Sequence, residues 1–230
     1  MYDEIIDRLN SIGQFASSSG VQRAEILLRD MNNPEEKLNI IHVAGTNGKG
    51  SVCAYIAQIL QENGYKTGLF TSPHLVDVRE RIRINNEMIS KEDFVEAYEY
   101  VEEHHSGELA YFDYLFGMAV YYYNRQNVDY VVMETGLGGR LDATNAVKQP
   151  LISVISTISL EHTAILGDTI EKIATEKAGI IKPGIPVVCS GVDKHAANVI
   201  KEIASDNSSA CIVLDENSYE LKQNTYGNID

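Results

Sequence analysis

The sequence has no run of about 18 consecutive apolar residues, so it contains no candidate for a helix that spans a bilayer. Its first 15 residues carry early acidic side chains and no apolar signal core, which predicts that the chain is not secreted. Basic residues are scarce, since 19 Lys and Arg stand against 33 Asp and Glu and give a formal net charge of −14. Each phosphate contact needs a cation, so this balance disfavours sequence-independent binding of nucleic acid or of an anionic membrane. A small anionic ligand in a local pocket is compatible with it.

Cysteines are also few and far apart. Cys53, Cys189 and Cys211 form no CxxC pair, so neither a disulfide scaffold nor a thiolate zinc site is expected. We interpret them as ordinary buried or half-buried thiols in a reducing cytoplasm. Internal repeats and low-complexity tracts are absent from the sequence as well. The apolar fraction of 44% over 230 residues is enough for the core of one large domain, and we expect a cytoplasmic protein.

Short continuous apolar runs alternate along the chain with segments of helical periodicity. The runs predict strands over 38–43, 67–71, 128–133, 151–157, 185–189 and 211–214. The periodic segments predict helices over 5–12, 21–31, 52–60, 91–105, 111–125, 168–180 and 194–204, with Asp168 as an N-cap. Residues 79–89 alternate charged and apolar side chains around Asn85-Asn86, which predicts a hairpin. The pattern is typical of an α/β fold with a mainly parallel, doubly wound sheet.

A glycine-rich loop follows the first predicted strand and precedes the helix over 52–60. Its glycines allow several backbone N–H groups to point at phosphate oxygens, and the helix N-terminus adds partial positive charge. Lys49 is expected to reach the β- and γ-phosphates of a nucleotide, and the Ser51 hydroxyl to bind Mg²⁺. The GxxxxGK[ST] pattern fails at Val43 and at Gly50, so this is an unusual phosphate loop. The predicted ATP-binding residues are Gly45, Thr46, Asn47, Gly48, Lys49, Gly50 and Ser51.

Five sequence blocks carry a more specific signal. In chain order they are HVAGTNGKGS at 42–51, TSPHL at 71–75, ETGLGGRLDATN at 134–145, EHTAILG at 161–167 and EKAGIIKPG at 176–184. Together they resemble the folylpolyglutamate synthase/dihydrofolate synthase family of the Mur-ligase superfamily. The resemblance implies the central ATPase domain of a Mur ligase, with a P-loop. Family members are about twice as long and add a smaller C-terminal domain that binds glutamate.

The same resemblance implies an activity and a division of the chain. Residues 1–214 would form the Mur-ligase-type ATP-binding domain, and 215–230 a connector toward a C-terminal domain absent from this chain. The enzyme would be an acid–amino-acid ligase that adds L-glutamate to dihydropteroate, to a (tetrahydro)folate or to both, through an acyl phosphate made with ATP. Its partners would be small molecules, with no nucleic acid and no membrane, and it would act as a monomer.

Catalytic roles follow from the resemblance residue by residue. It implies that Glu134, Ser72 and His162 bind Mg²⁺ together with Ser51, and that the catalytic set is Lys49, Glu134, His162 and Lys177. Hard oxygen donors suit Mg²⁺, whereas an imidazole is a borderline ligand for it. Lys177 would be carbamylated, although the helical pattern alone indicates a solvated lysine. Carbon dioxide adds only to a neutral amine, so this lysine needs a lowered pKa.

A folate-binding surface is implied for two further segments. Its residues are Ala110, Tyr111, Phe112, Asp113, Leu141, Asp142 and Ala143. A flat heteroaromatic ring needs apolar faces to stack on and a carboxylate for its N–H edge. The alternative is that Tyr111, Phe112, Tyr114 and Phe116 simply form the core of a helix, and sequence does not decide between the two.

Other functions remain open at this stage. The chain could be another Mur-type ligase, for example one that builds a cell-wall peptide, or a nucleotide-binding module without complete ligase activity. Gly136 to Leu141 superficially resembles a dinucleotide fingerprint, but Leu141 replaces its third glycine, which argues against a nicotinamide site. Arg79, Arg81 and Arg83 alternate along the predicted hairpin. They are interpreted as a solvated face, with the binding of an acidic glutamyl tail as the alternative.

Overall fold

The structure is a computed structural model and describes residues 1–13, 18–215 and 218. Within these ranges the helices are α1 (Tyr2–Ser11), α2 (Gly20–Asp30), α3 (Lys49–Glu62), α4 (Lys91–His104), α5 (Tyr111–Arg125), α6 (Thr163–Leu166), α7 (Ile170–Ala178) and α8 (Lys194–Asp206). The strands are β1 (Ile40–Ala44), β2 (Thr67–Phe70), β3 (Ile82–Ile84), β4 (Glu87–Met88), β5 (Tyr130–Glu134), β6 (Ile152–Ile155), β7 (Val187–Ser190) and β8 (Cys211–Leu214). None of the helices in these ranges is long and apolar enough to cross a membrane.

The strands form one sheet in the order β4-β3-β2-β5-β1-β6-β7-β8. All neighbouring strands from β2 to β8 in this order are parallel, whereas β3 pairs antiparallel with both β2 and β4. The prediction of a mainly parallel α/β sheet is confirmed. Within the sheet, β2 to β5 lie on one side of β1, and β6 to β8 lie on its other side. A crevice for ligands is therefore expected beyond the carboxyl end of β1.

Helices cover both faces of this sheet because successive strand residues point to opposite sides. On one face α3 packs against a cluster that includes Val43, Leu69 and Val132. On the other face α7 and α8 pack on a cluster around Ile155, and α1, α2, α4 and α5 surround a larger cluster that includes Phe70. The sheet is thus held rigidly from both sides, and its strand ends can position side chains.

Several predicted boundaries differ from the structure. The helix predicted over 52–60 begins at Lys49, because Gly48 with φ +77° forms its N-cap. The helix predicted over 168–180 spans only Ile170–Ala178, and Asp168 as its N-cap was wrong. Thr169 Oγ1 accepts the Lys172 N–H instead, whereas Asp168 accepts from Lys172 Nζ at 2.7 Å. The short helix α6 was not predicted, since four residues carry no periodicity.

The predicted hairpin is confirmed, with Asn85 and Asn86 at φ +48° and +66° in its turn. Its strands are shorter than predicted because residues 78–81 form a 3₁₀ turn that Asp77 caps. The predicted connector 215–230 lies outside the described residues apart from Asp215 and Ser218, so the domain division stays a prediction.

A histidine on the central strand is entirely buried. His42 Nε2 lies 2.8 Å from Thr144 Oγ1, which itself donates to Asp142 Oδ1 at 2.6 Å. Thr144 has one hydroxyl proton, so His42 must be the donor to it and carries its proton on Nε2. Burial lowers the pKa of His42 to about 3, with Lys182 as a smaller cause. The neutral imidazole therefore ties β1 to the loop that contains Asp142.

This buried histidine predicts a loss of stability in acid. The pKa of an ordinary histidine is 6.5 and that of His42 in the folded chain is about 3, so unfolding takes up a proton between these pH values. The stabilising contribution is complete above about pH 6.5 and is lost as the pH falls toward 3, at about 1.4 kcal/mol per pH unit. We expect His42→Gln to flatten the pH dependence of the free energy of unfolding, measured by urea denaturation between pH 4 and 7. The exposed His195 provides the control, and equal slopes for His42→Gln and His195→Gln would contradict the assignment.

Candidate active site

The glycine-rich loop turns tightly between β1 and α3. Gly45 has φ +150°, and a Cβ at this position would lie 1.8 Å from Ser156 Oγ. Gly48 has φ +77° at the start of α3. Only glycine fits both requirements without strain. The loop therefore packs directly against the end of β6, and the free N–H groups at the start of α3 form an anion-binding end.

Residues after β6 fix the shape of this loop. The Thr46 N–H donates to Thr157 O at 2.8 Å, and its hydroxyl donates to Ser159 O at 3.1 Å. The hydroxyls of Ser156 and Thr157 both donate to Asn47 O, at 2.9 and 3.2 Å. This support was not predictable from the sequence, because nothing local marks 156–159 as a partner of residues more than 100 positions earlier. The loop is thus held in its wrapped conformation by the chain itself.

Glu134 ends β5 beside the loop. Its side chain is almost completely buried, and its Oε2 accepts the Ser72 N–H at 3.0 Å. Gly50 faces it, since a Cβ there would lie 3.7 Å from Oε2. Burial raises the pKa of Glu134 above its ordinary value, while the Ser72 N–H and the cations Lys49 and Arg81 oppose this rise. The structure therefore brings together Glu134, the Ser72 backbone and the start of α3.

Lys177 approaches the same loop from α7. It is 1% exposed, and its Nζ donates to Gly45 O at 2.7 Å. Burial and, to a smaller extent, the positive charge of Lys49 lower its pKa to about 8. The pattern-based interpretation of Lys177 as a solvated lysine was wrong. The helical period of α7 does not reveal that its C-terminal turn faces the phosphate loop.

His162 has a different environment. It adopts φ +47°, its side chain is 52% exposed, and its Nε2 lies 3.3 Å from Glu161 Oε1. No cluster of three or more His, Cys, Asp or Glu residues that could hold a metal ion occurs among the described residues. A cation at this site would therefore need Ser hydroxyls or ligand oxygens as well. The metal role of His162 stays a prediction.

The four aromatic residues of the helix-core alternative divide into two groups. Tyr114 and Phe116 are buried in the large core cluster, as the helix-core interpretation requires. Tyr111 and Phe112, at the start of α5, are only half-buried. The Phe112 ring lies 5.6 Å from that of Phe70, and a Cβ on Gly136 would lie 2.8 Å from Phe112 Cζ. Phe112 therefore lines the loop after β5, where a substrate ring could contact it.

The two carboxylates of the predicted folate surface serve the fold. Asp113 is buried and pairs with Arg23 Nε at 2.5 Å, and it also accepts the Ala110 N–H at 2.7 Å. Asp142 is buried and accepts the N–H groups of Leu137 and Thr144 at 2.8 and 3.0 Å. Both side chains thus shape loops from within. Leu141 is 46% exposed, whereas Ala110 and Ala143 are buried. Pteridine contacts at these positions stay predictions.

The three arginines of the hairpin do not share a solvated face. Arg79 forms an ion pair with Asp77 at 2.7 Å, and Arg83 Nε donates to Glu80 O at 2.9 Å. Arg81 is half-buried, and its guanidinium lies over the Tyr111 ring, 5.7 Å from the centroid. The solvated interpretation was therefore wrong for Arg81.

Comparison with known proteins agrees with this arrangement. The family model described as the Mur ligase middle domain matches residues 43–228 of the chain. The chain belongs to the Mur ligase family. The match covers the phosphate loop, Glu134 and Lys177 in one continuous segment. The resemblance to folylpolyglutamate synthases and dihydrofolate synthases that the sequence motifs indicated is also confirmed.

Curated relatives and solved structures narrow the similarity within the Mur ligase family. The chain is 43% identical over 187 residues to the mitochondrial folylpolyglutamate synthase of Cricetulus griseus, covering 78% of this chain and 30% of that protein. It is 40% identical over 218 residues to the dihydrofolate synthase/folylpolyglutamate synthase of Bacillus subtilis (strain 168), covering 88% of this chain and 50% of that protein. The apo form of L. casei FPGS superposes with a TM-score of 0.87 at 34% identity, over 94% of this chain and 54% of the other. E. coli FolC in complex with DHPP and ADP gives 0.86 at 30% identity, over 92% and 51%. This Mur ligase chain thus spans half or less of the length of these two curated relatives.

Proposed function

We propose that this chain provides the nucleotide-binding part of an ATP-dependent ligase that joins L-glutamate to dihydropteroate, to a (tetrahydro)folate or to both. The main observation that supports this proposal is that the phosphate loop is fixed next to a buried carboxylate, Glu134, and a buried lysine, Lys177. The similarity to folylpolyglutamate synthases, including a structure described as an FPGS-AMPPCP-folate complex, supports the same assignment.

The loop and Lys49 would bind the triphosphate. In the first step a carboxylate oxygen of the acid attacks the γ-phosphorus of ATP, so that an acyl phosphate forms and ADP leaves. In the second step the α-amine of glutamate attacks the acyl carbon, phosphate leaves, and the amine loses a proton to solvent. Most of the catalysis is positioning and stabilisation of spread negative charge. The N–H groups of the loop and the Lys49 ammonium supply that stabilisation without reorganising.

The residues around Glu134 fit a divalent cation. Glu134 is a buried carboxylate whose oxygens have, within the described chain, a single hydrogen-bond donor, the Ser72 N–H. Such a donor set of carboxylate and hydroxyl oxygens is typical of Mg²⁺. Glu134, Ser51, Ser72 and His162 would hold the cation, and its charge would offset that of the phosphates. Among the described residues, the positive charges of Lys49 and Arg81 favour the ionised form of Glu134.

The acid substrate can be identified by measuring which acid stimulates the release of phosphate from ATP. We expect ATP turnover to require L-glutamate together with dihydropteroate or a tetrahydrofolate, and a muramyl peptide to be inactive. Release that depends on the muramyl peptide would overturn the folate assignment within the Mur ligase family. Binding of Mg·ATP without release for any acid would favour the nucleotide-binding module. The assay is a coupled phosphate measurement on purified protein, with each acid omitted in turn.

We also propose that Lys177 is carbamylated. Its lowered pKa of about 8 leaves a larger neutral fraction of the amine at neutral pH than an ordinary lysine has. The product would be an anionic oxygen donor beside the loop. We expect a carbamate signal by NMR with carbon-13-labelled bicarbonate, and its intensity should rise as the pH passes from 7 to 9 because the amine loses its proton. Lys177→Arg should lack the signal, whereas Lys172→Arg on the exposed face of α7 should retain it. A signal that persists in Lys177→Arg would contradict the assignment.

A further inference from the structure

Arg81 ends the 3₁₀ turn that precedes β3. It lies beside the carboxyl end of β2, at the edge of the sheet where the candidate active site is found. Its backbone O accepts the Thr71 N–H at 3.1 Å, which places it beside the loop that leads to Ser72. Its Nε donates to His74 Nδ1 at 2.8 Å, and its guanidinium stacks over Tyr111. Two different side chains therefore hold this arginine from two directions.

The remaining donors of Arg81 are unused. In the described part of the chain no carboxylate pairs with its guanidinium, and its two NH₂ groups donate no hydrogen bond. Arg79, by contrast, is neutralised by Asp77. Burying a cation is costly unless it is paired, so an unpaired half-buried arginine indicates an anionic ligand. Burial lowers the pKa of Arg81, whereas the charges of Tyr111 and Glu134 raise it, so both groups favour the charged guanidinium.

A cavity adjoins this arginine. His74 and Tyr111, the two residues that hold Arg81, both line a cavity of about 250 Å³ between α1 and the loop after β2. The apolar side chains of Ile6 and Leu9 also line it, together with the ring of Tyr2. Asp3 and Asp77 line it as well, and Arg81 adjoins it through its contacts with His74 and Tyr111.

We propose that Arg81 is the binding residue for the carboxylate of the acid substrate, and that His74 and Tyr111 are positioning residues that hold its guanidinium fork. This inference rests on the proposed ligase function and names the group that recognises the acceptor. A planar guanidinium matches a carboxylate through two parallel N–H donors. It also offsets the repulsion between that carboxylate and Glu134, so that the acid can approach the phosphoryl group.

The central experiment measures acceptor affinity in an Arg81→Gln variant. We expect the KM for dihydropteroate or tetrahydrofolate to rise about 10- to 100-fold, because hydrogen bonds to a charged group are lost. The KM for ATP should stay within about twofold, since Lys49 and the loop are unchanged. Arg81→Lys should recover only part of the loss, because an ammonium lacks the planar fork. Arg83→Gln, on the next strand, is the matched control and should behave as the unmodified protein.

A neutral analogue separates charge recognition from packing. The carboxamide of the same acid should bind equally well, by calorimetry, to the unmodified protein and to Arg81→Gln. An unchanged KM for the acid in Arg81→Gln, or an equal loss of affinity for acid and carboxamide, would overturn the proposal while leaving the ligase function intact.

A second probe does not depend on the ligase function. p-Aminobenzoate carries an aromatic carboxylate without a pteridine, and its titration should shift one arginine side-chain Nε–H NMR signal saturably. That signal should be missing in Arg81→Gln and present in Arg83→Gln. If folate-type acids provoke no turnover but this shift occurs, the ligase function fails and the carboxylate site stands. If the shift is absent, the site is refuted.

His74 tests the positioning role. His74→Leu should raise the KM for the acid, because Arg81 Nε loses its acceptor, whereas His74→Asn should restore most of the affinity, since its amide oxygen can replace Nδ1. A purely structural role would predict equal losses for both variants, with no rescue by asparagine.

Discussion

Replacing Lys49 with alanine is expected to remove most of the ATP turnover. Lys49 begins α3, and its Nζ lies 3.3 Å from Thr46 O, at the mouth of the loop. The other lysine near the loop, Lys177, is buried and donates to Gly45 O, so it is not free to replace the lost charge. Removing one charged donor to the transferring group should reduce kcat about 100- to 1000-fold. Nucleotide affinity should fall about 10- to 100-fold, as measured by calorimetry.

Two comparisons make this result specific. Lys172→Ala removes an exposed lysine that pairs with Asp168 on the surface, so it should leave turnover unchanged. Lys49→Ala should also keep the melting temperature within a few degrees, because the Lys49 side chain makes no buried ion pair in the described chain. Undiminished ATP affinity in a folded Lys49→Ala protein would show that this loop does not bind the nucleotide phosphates.

The second large effect is expected for Glu134→Gln. The amide has nearly the shape of the carboxylate and can still accept the Ser72 N–H through its oxygen. Because burial disfavours the charged form of Glu134, the neutral side chain should leave the free energy of unfolding unchanged or raise it slightly. Magnesium-dependent turnover should nevertheless fall about 100-fold or more, since a buried anionic oxygen ligand is lost. Activity should thus fall without a loss of stability.

Magnesium titrations provide the measurement. At each Mg²⁺ concentration, phosphate release by Glu134→Gln is compared with that of Glu171→Gln, which changes an exposed acid near the start of α7. Glu171→Gln should follow the unmodified protein across the titration. If Glu134→Gln retains full activity and the same magnesium dependence, Glu134 does not belong to the catalytic site.

Local features of the sequence predicted much of the fold. The apolar runs gave the strands of the parallel sheet, and α5 (Tyr111–Arg125) has the predicted bounds, because burial and periodicity are local properties. The phosphate loop was also predictable, since Gly45 and Gly48 satisfy backbone requirements that only glycine meets. The N-cap of α7 was missed because Asp168 and Thr169 are adjacent candidates and their backbone dihedral angles decide between them.

The environments of the charged side chains were not predictable in this way. The spacing of Arg79, Arg81 and Arg83 indicated one common face, but a 3₁₀ turn precedes β3 and changes the direction of each side chain. Arg81 therefore points to Tyr111, 30 residues later, while Arg79 pairs with Asp77. A period-2 pattern holds only where the backbone is extended.

By itself the sequence determined the α/β class, the parallel sheet, the phosphate loop and, through five ordered blocks, the Mur ligase family. Only the tertiary structure decided that Lys177 is buried against Gly45 O, that residues 156–159 hold the loop, and that Arg81 contacts His74 and Tyr111 without a carboxylate partner among the described residues. The physical reason is that hydrophobic periodicity and glycine dihedral angles are set within a few residues. The burial and pKa of a charged group depend instead on which distant strands the sheet brings together.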